Sequence, residues 1–130
     1  MSNYPSFSQH ELDCPCGCDG RMDDEFMTDV IVPMRMELGF PFIISKGGAY
    51  RCADYDGNKN HEGHALDFRA NSRQRWMVID WIEKRNRRID MGHEHGKKVT
   101  RIGINKTTIH IDDMQSIDGK YEMVIWTYYG

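Results

Sequence analysis

Three strand-like segments follow one another in the last third of the chain, and they constrain the fold more than any other feature. They are "TRIGI" (100–104), "TIHID" (108–112) and "YEMVIWTYY" (121–129), with a turn near "SIDGK" between the last two. Two helical segments come earlier. Helices early and in the middle of a chain, followed by consecutive strands, predict an α+β fold in which helices pack on a small antiparallel sheet.

Apolar spacing and end signals define the two helical segments. Apolar residues recur every four positions across 23–38, which predicts one buried stripe: Phe26, Val30, Met34 and Leu38. Pro33 lies inside this segment and should kink or split the helix, and Gly39 should cap its end. A second helix is predicted from a cap at Ser72 to about Arg88. Its inward-facing residues are predicted to be Trp76, Ile79 and Ile82.

Two short strands are predicted before the second helix. They are "FIIS" (42–45), which is apolar and should be buried, and "HALDF" (64–68). Alternation along the latter places Ala65 and Asp67 on one face. Near the N-terminus, Ser8 and Glu11 have the spacing of a helix capping box.

Length and charge limit the classes of function. A chain of 130 residues is expected to form one domain, 1–130, in which 1–21 is a cysteine-rich arm. A net charge of -3 argues against a nucleic-acid partner, and no apolar run is long enough for membrane insertion. No basic start followed by an apolar stretch marks a signal peptide, so we expect synthesis in a reducing cytoplasm. We expect a monomer.

Histidine and aspartate residues in two separate stretches suggest a metal site. His61 and Asp67 lie in "NKNHEGHALDFR" (58–69), and His110 lies in a later strand. Two imidazoles and one carboxylate are a ligand set that zinc uses in catalytic sites, where a fourth position remains for water. Such a site makes hydroxide available near neutral pH. On residue types alone, solvated polar side chains remain the alternative.

An ordered series of motifs extends from Phe7 to about Trp126. The series begins with "FSQHELDCPCGC" and "RMELGFPF" and continues with "SKGGAYRC", "HEGHALD" and "GIN" followed by "HID". It resembles the viral branch of the M15 family of zinc peptidases, which includes D-alanyl-D-alanine carboxypeptidases and phage endolysins. The resemblance implies a hedgehog/DD-peptidase-like fold. Two blocks depart from the family pattern: "GIN" lacks a second glycine, and "SKGGAYRC" has three extra residues.

The resemblance makes Asp67 and His110 the second and third zinc ligands. The family has its first ligand seven residues before the aspartate, where this chain has Asn60. His61 lies one residue nearer to Asp67 and is the preferred first ligand, and His64 is the alternative.

Further site residues also follow from the resemblance. Arg51 would face the substrate and bind its carboxylate or carbonyl oxygen, with Ser45 beside it. Some family members have an acid three residues before the last histidine, but Thr107 occupies that position here. Asp112 should share a strand face with His110, so it could accept a proton from the water or orient His110. Glu62 is the alternative base.

Four cysteines raise a separate question. Three of them are crowded into "CPCGC" and the fourth follows Arg51; together they are Cys14, Cys16, Cys18 and Cys52. Neighbouring Cys-x-Cys pairs are too close for an easy disulfide, and a reducing compartment disfavours one. A structural zinc site of four thiolates, a disulfide from the arm to Cys52, and free thiols all remain open.

These features together predict a zinc metallopeptidase, either a D,D-carboxypeptidase or an L,D-endopeptidase. Its substrates would be the stem peptides of bacterial peptidoglycan, cut by a metal-activated water. The family branch suggests a bacteriophage endolysin, released to the cell wall through a holin, or a wall hydrolase within a virion. The alternative is a non-catalytic M15-like module that binds zinc and cell wall, or a virion structural protein. A third hypothesis is a small cysteine–zinc interaction protein in which the histidines and aspartates are incidental.

Overall fold

The fold is α+β, with short helices, one long helix and a four-stranded sheet. The computed structural model describes residues 4–18, 20–44, 47–50, 63–113 and 124–127. The helices are α1 (Gln9–Leu12), α2 (Asp24–Phe26), a π-helical turn (Met27–Ile31), α3 (Val32–Leu38) and α4 (Ser72–Asp90). The strands are β1 (Ala65–Arg69), β2 (Arg101–Ile104), β3 (Thr108–Asp112) and β4 (Val124–Thr127). Within these residues no helix is long and apolar enough to span a membrane.

The strands are arranged in the order β1-β3-β2-β4. The pairs β1–β3 and β3–β2 are antiparallel as predicted, but β2 and β4 are parallel, so the sheet is mixed. The reason lies in the position of β2. A chain that reverses direction after β3 would normally pair with β3, but β1 and β2 already occupy both of its sides. β4 therefore pairs with β2 at the edge of the sheet. Because β2 and β3 are antiparallel, a strand that runs opposite to β3 is parallel to β2.

The first predicted helix is continuous but changes its hydrogen-bonding pattern before the proline. Asp23 caps its start by accepting a hydrogen bond from the Phe26 N–H, and Gly39 ends it with a φ of 77°. Pro33 has no N–H to donate, and the π-helical turn lies directly before the α3 turn that contains it. The predicted stripe is confirmed: its first three residues are fully buried and Leu38 is partly buried.

The second predicted helix exists, but two details of the prediction were wrong. The N-cap is Asn71, whose side chain accepts from the Gln74 N–H, so Ser72 is instead the first helical residue. Trp76 is 69 % exposed rather than buried. The buried positions of α4 are Val78, Ile82 and Arg85. Trp76 precedes Val78 by two residues, a rotation of about 200° around the helix, and so faces the opposite side.

The predicted buried strand at 42–45 is not a regular strand over its described residues, 42–44, and Ile43 is exposed. The Arg69 N–H donates to the Ile43 carbonyl at 2.9 Å, and the Asp67 N–H donates to the Gly48 carbonyl at 2.7 Å. The two donors are two residues apart, whereas the two acceptors are five residues apart. These two hydrogen bonds therefore do not have the regular spacing of a strand pair.

One face of the sheet packs on the helices and forms the core. The core residues that the strands contribute are Leu66, Phe68, Ile102, Ile109 and Ile111. Phe68 stacks on Phe42 with ring centroids 4.0 Å apart. The arm joins the same core through Phe7 and Leu12, and its capping box between Ser8 and Glu11 is present as predicted.

Replacing Phe68 by alanine should destabilise the fold by roughly 3–5 kcal/mol, because it removes a buried ring and leaves a cavity beside Phe42. Urea unfolding followed by circular dichroism measures the change. Trp76→Ala is the matched control, since its exposed ring should contribute less than about 0.5 kcal/mol. A larger loss from Trp76→Ala than from Phe68→Ala would contradict the assignment of the core face.

Candidate metal centre

The second face of the sheet carries a row of aligned polar and aromatic residues. Asp67 in β1 lies opposite His110 in β3, and His110 lies opposite Gly103 in β2, which pairs with Trp126 in β4. In the neighbouring row, Asp112 lies opposite Arg101. His110 and Asp112 share a face because they are two residues apart in one strand.

His110 lies between two carboxylates. Its Nδ1 is 2.6 Å from Asp67 Oδ1 and its Nε2 is 2.6 Å from Asp112 Oδ2. Asp112 is 0 % exposed, whereas the Asp67 side chain is 30 % exposed. Burial of the ring lowers the pKa of His110, but hydrogen bonds and charge from Asp112 and Asp67 outweigh burial and raise that pKa to about 9. The protonated ring donates to both carboxylates.

This arrangement suits a histidine that binds metal through one ring nitrogen while a carboxylate holds the other. A histidine that binds zinc through one ring nitrogen usually donates its other N–H to a carboxylate or carbonyl. Asp112 can accept that hydrogen bond from Nε2, which leaves Nδ1 beside the partly exposed Asp67. Ligand atoms on a tetrahedral zinc with bonds near 2 Å lie about 3.3 Å apart. The Nδ1–Oδ1 pair would therefore have to open by several tenths of an ångström once Nδ1 loses its proton.

The structure brings together three of the predicted site residues: Asp67, His110 and Asp112. Five further predicted residues lie outside the described part of the chain: Ser45, Arg51, Cys52, His61 and Glu62. His64, the alternative first ligand, contacts Asp113 instead, with 3.0 Å between Nδ1 and Oδ1.

Sequence reasoning missed two neighbours of this site, Arg101 and Trp126. The Arg101 Nε is 3.6 Å from Asp112 Oδ2, and its guanidinium lies 4.9 Å from the centre of the Trp126 ring. The Trp126 ring centroid is 5.4 Å from that of His110, although their strands are not adjacent. Gly103 lies between them and has no side chain on this face, so the two rings can approach each other. Only the strand register reveals these contacts.

The cysteines of the arm form a second group that could hold a metal. One sulfur from each of Cys14, Cys16 and Cys18 lies within 4.8 Å of the others, and the first two are 3.3 Å apart. No disulfide joins these three cysteines to one another. Cys14 is buried, whereas Cys16 and Cys18 are exposed.

Another group with ligand-like spacing consists of Asp23, His64 and Asp113. The Lys97 ammonium lies 3.4 Å from Asp113 and 3.8 Å from Asp23, so a cation is already present among these carboxylates. Burial lowers the pKa of Lys97, but Asp113 and Asp23 outweigh burial and raise it. We interpret this group as an ion-pair cluster. It connects the start of α2 to the start of β1 and the end of β3.

In comparisons with known proteins, no family model, no curated protein and no solved structure matches this chain.

The metal-free protein should lose stability as the pH rises. Because the pKa of His110 is raised from 6.5 to about 9 in the fold, its stabilising contribution is complete below pH 6.5 and disappears as the pH passes about 9. Urea unfolding of chelator-treated protein across this range measures the slope. His110→Gln, which lacks the titrating ring, should show a flatter dependence. Equal slopes for the two proteins would contradict the assigned interaction.

Proposed function

We propose that the chain is a zinc-dependent peptidase that hydrolyses peptidoglycan peptides and has an M15-type, hedgehog/DD-peptidase-like fold. One observation carries the proposal: Asp67 and His110 lie side by side on paired strands, and the second ring nitrogen of His110 is held by a buried carboxylate. A metal ligand needs that orientation, and a purely structural histidine does not need a partly exposed aspartate at its other nitrogen. The sequence motifs supply the substrate class.

Each residue of the centre has a distinct task in this proposal. Asp67 and His110 would hold the zinc together with His61, the first ligand predicted from the sequence. Bound zinc supplies a Lewis acid that lowers the pKa of a water molecule into the neutral range. Arg51 and Ser45 keep their predicted contacts with the substrate.

Asp112 is better suited to position His110 than to accept a proton from water. It is fully buried, and its Oδ2 lies 2.6 Å from His110 Nε2 and 3.6 Å from Arg101 Nε. A general base must reach the water from which it removes the proton. Of the two roles that the sequence left open for Asp112, its burial favours the orienting one. Glu62 then becomes the preferred candidate for the base.

The cellular context follows from the family resemblance. The enzyme would be made in the host cytoplasm and would reach the cell wall through a holin, as an endolysin does, or act within a virion. It would work as a monomer on stem peptides. A second, structural zinc at the cysteines belongs to the same proposal, with Cys52 as the fourth ligand predicted from the sequence.

Peptidoglycan digestion tests the activity. The wild type supplied with zinc should release peptides with new termini, identified by mass spectrometry, and His110→Ala should release none because a ligand is lost. His64→Ala is the matched control and should retain activity, since its ring contacts Asp113 instead of Asp67. No release from several wall types by the wild type would overturn the peptidase in favour of a module that binds the wall without cutting it.

Removing the carboxylate that holds His110 should weaken metal binding without removing a ligand. Asp112→Asn should lower the zinc affinity by about 10–100-fold, the usual cost of losing such a partner. Competition with a chromophoric chelator measures the affinity, and circular dichroism checks that the variant is folded. Unchanged affinity in a folded Asp112→Asn protein would count against the orienting role.

A further inference from the structure

We infer that the three arm cysteines bind a thiophilic metal ion such as zinc, and that this ion braces the segment 47–50 against Asp67. The arm would then support the metal centre from a distance, without contributing a ligand to it. The role of Asp67 and the presence of a structural zinc at the cysteines rest on the proposed function. The brace goes beyond that function and is inferred from the geometry of the arm.

The spacing of the three sulfur atoms suits a shared metal ion. Thiolates bound to one tetrahedral zinc at 2.3 Å lie about 3.8 Å apart. The Cys14 and Cys16 sulfur atoms are 3.3 Å apart, and all three sulfur atoms lie within 4.8 Å of one another, which is compatible with that spacing. Thiolate ligands select zinc over harder ions such as magnesium or calcium.

A tight turn brings the three sulfur atoms together. The Gly17 N–H donates to the Cys14 carbonyl at 3.0 Å, and Gly17 has a φ of 81°. A side chain at position 17 would be strained in this left-handed conformation. The turn therefore depends on the glycine of "CPCGC", and it converts three cysteines within five residues into one cluster.

Both ends of this cysteine loop contact Tyr50. On one side, the Tyr50 N–H donates to the Leu12 carbonyl at 3.4 Å. On the other side, the Tyr50 ring lies against Gly20 so closely that an added Cβ would be 2.0 Å from a ring carbon. Helix α1 is a single turn, and residues 13–18 have no regular secondary structure. A metal ion bound to the three sulfur atoms would cross-link this loop, which has no helix or strand of its own.

Tyr50 lies two residues after Gly48, which contacts the metal centre. The Gly48 carbonyl accepts the Asp67 N–H at 2.7 Å. Ala49 packs into the core, and Tyr50 connects this segment to the cysteine loop. A continuous series of contacts therefore runs from the cysteine loop through Tyr50 and Gly48 to Asp67.

The test uses the full chain, kept reduced and loaded with cobalt as a spectroscopic probe for zinc. The wild type should bind about two ions per chain and show the intense charge-transfer absorption of cobalt–thiolate bonds. The double variant Cys16→Ser, Cys18→Ser alters two exposed residues and spares the core. It should lose that band, and hydrogen exchange at 47–50 and at the Asp67 amide should become several-fold faster. His110→Ala should lose the other ion and keep the band.

A second comparison does not depend on whether the cysteine variant folds. In His110→Ala the thiolate ion should be the one that remains, and its removal by a chelator should accelerate exchange at the same amides. Retention of the band in the folded double variant, or unchanged exchange after metal removal, would overturn the inference. The wild type could show the expected band and exchange rates and still release no wall peptide. That result would support this inference and reject the proposed peptidase activity.

Discussion

The pairing of His110 with two carboxylates is the interaction on which the rest of the site depends. Removing an imidazolium and a carboxylate from water is costly, and a buried ion pair is seldom the cheapest way to stabilise a fold. Buried groups with strongly shifted pKa values also occur preferentially at functional sites. Here the cost falls where Asp67 and His110 lie opposite each other on paired strands, and the Asp67 carboxylate is partly accessible to solvent. A metal ion that replaces the Nδ1 proton would use the same two partners.

Much of the fold could be predicted because its signals are local. The capping box, the four-residue apolar stripe and the glycine after α3 act within a few residues, and each is present as predicted. Strand partners are not local. The parallel position of β4 depends on β2 occupying the place beside β3. The irregular hydrogen bonds from β1 to Ile43 and Gly48 likewise depend on how segments distant in sequence meet, which local signals do not specify.

The site shows the same difference between local signals, which sequence reveals, and strand partners, which it does not. Alternation along one strand correctly placed Asp112 on the face of His110, since that inference needs no partner strand. Arg101 and Trp126 were missed because they reach the centre only through the register of β2 and β4. The prediction for Trp76 was wrong because its aromatic character suggests burial, whereas its position on the helix faces away from the buried Val78 and Ile82.

The most direct test of the account follows the two ring nitrogens of His110 by nuclear magnetic resonance during zinc addition to metal-free protein near neutral pH. Long-range nitrogen–proton correlations report the protonation of each nitrogen separately. We expect both nitrogens to be protonated before zinc is added. Zinc should displace the proton from Nδ1, beside Asp67, while Nε2 keeps its proton toward Asp112. A ring that retains both protons at saturating zinc, or that loses the Nε2 proton first, would contradict the assignment of His110 as a metal ligand.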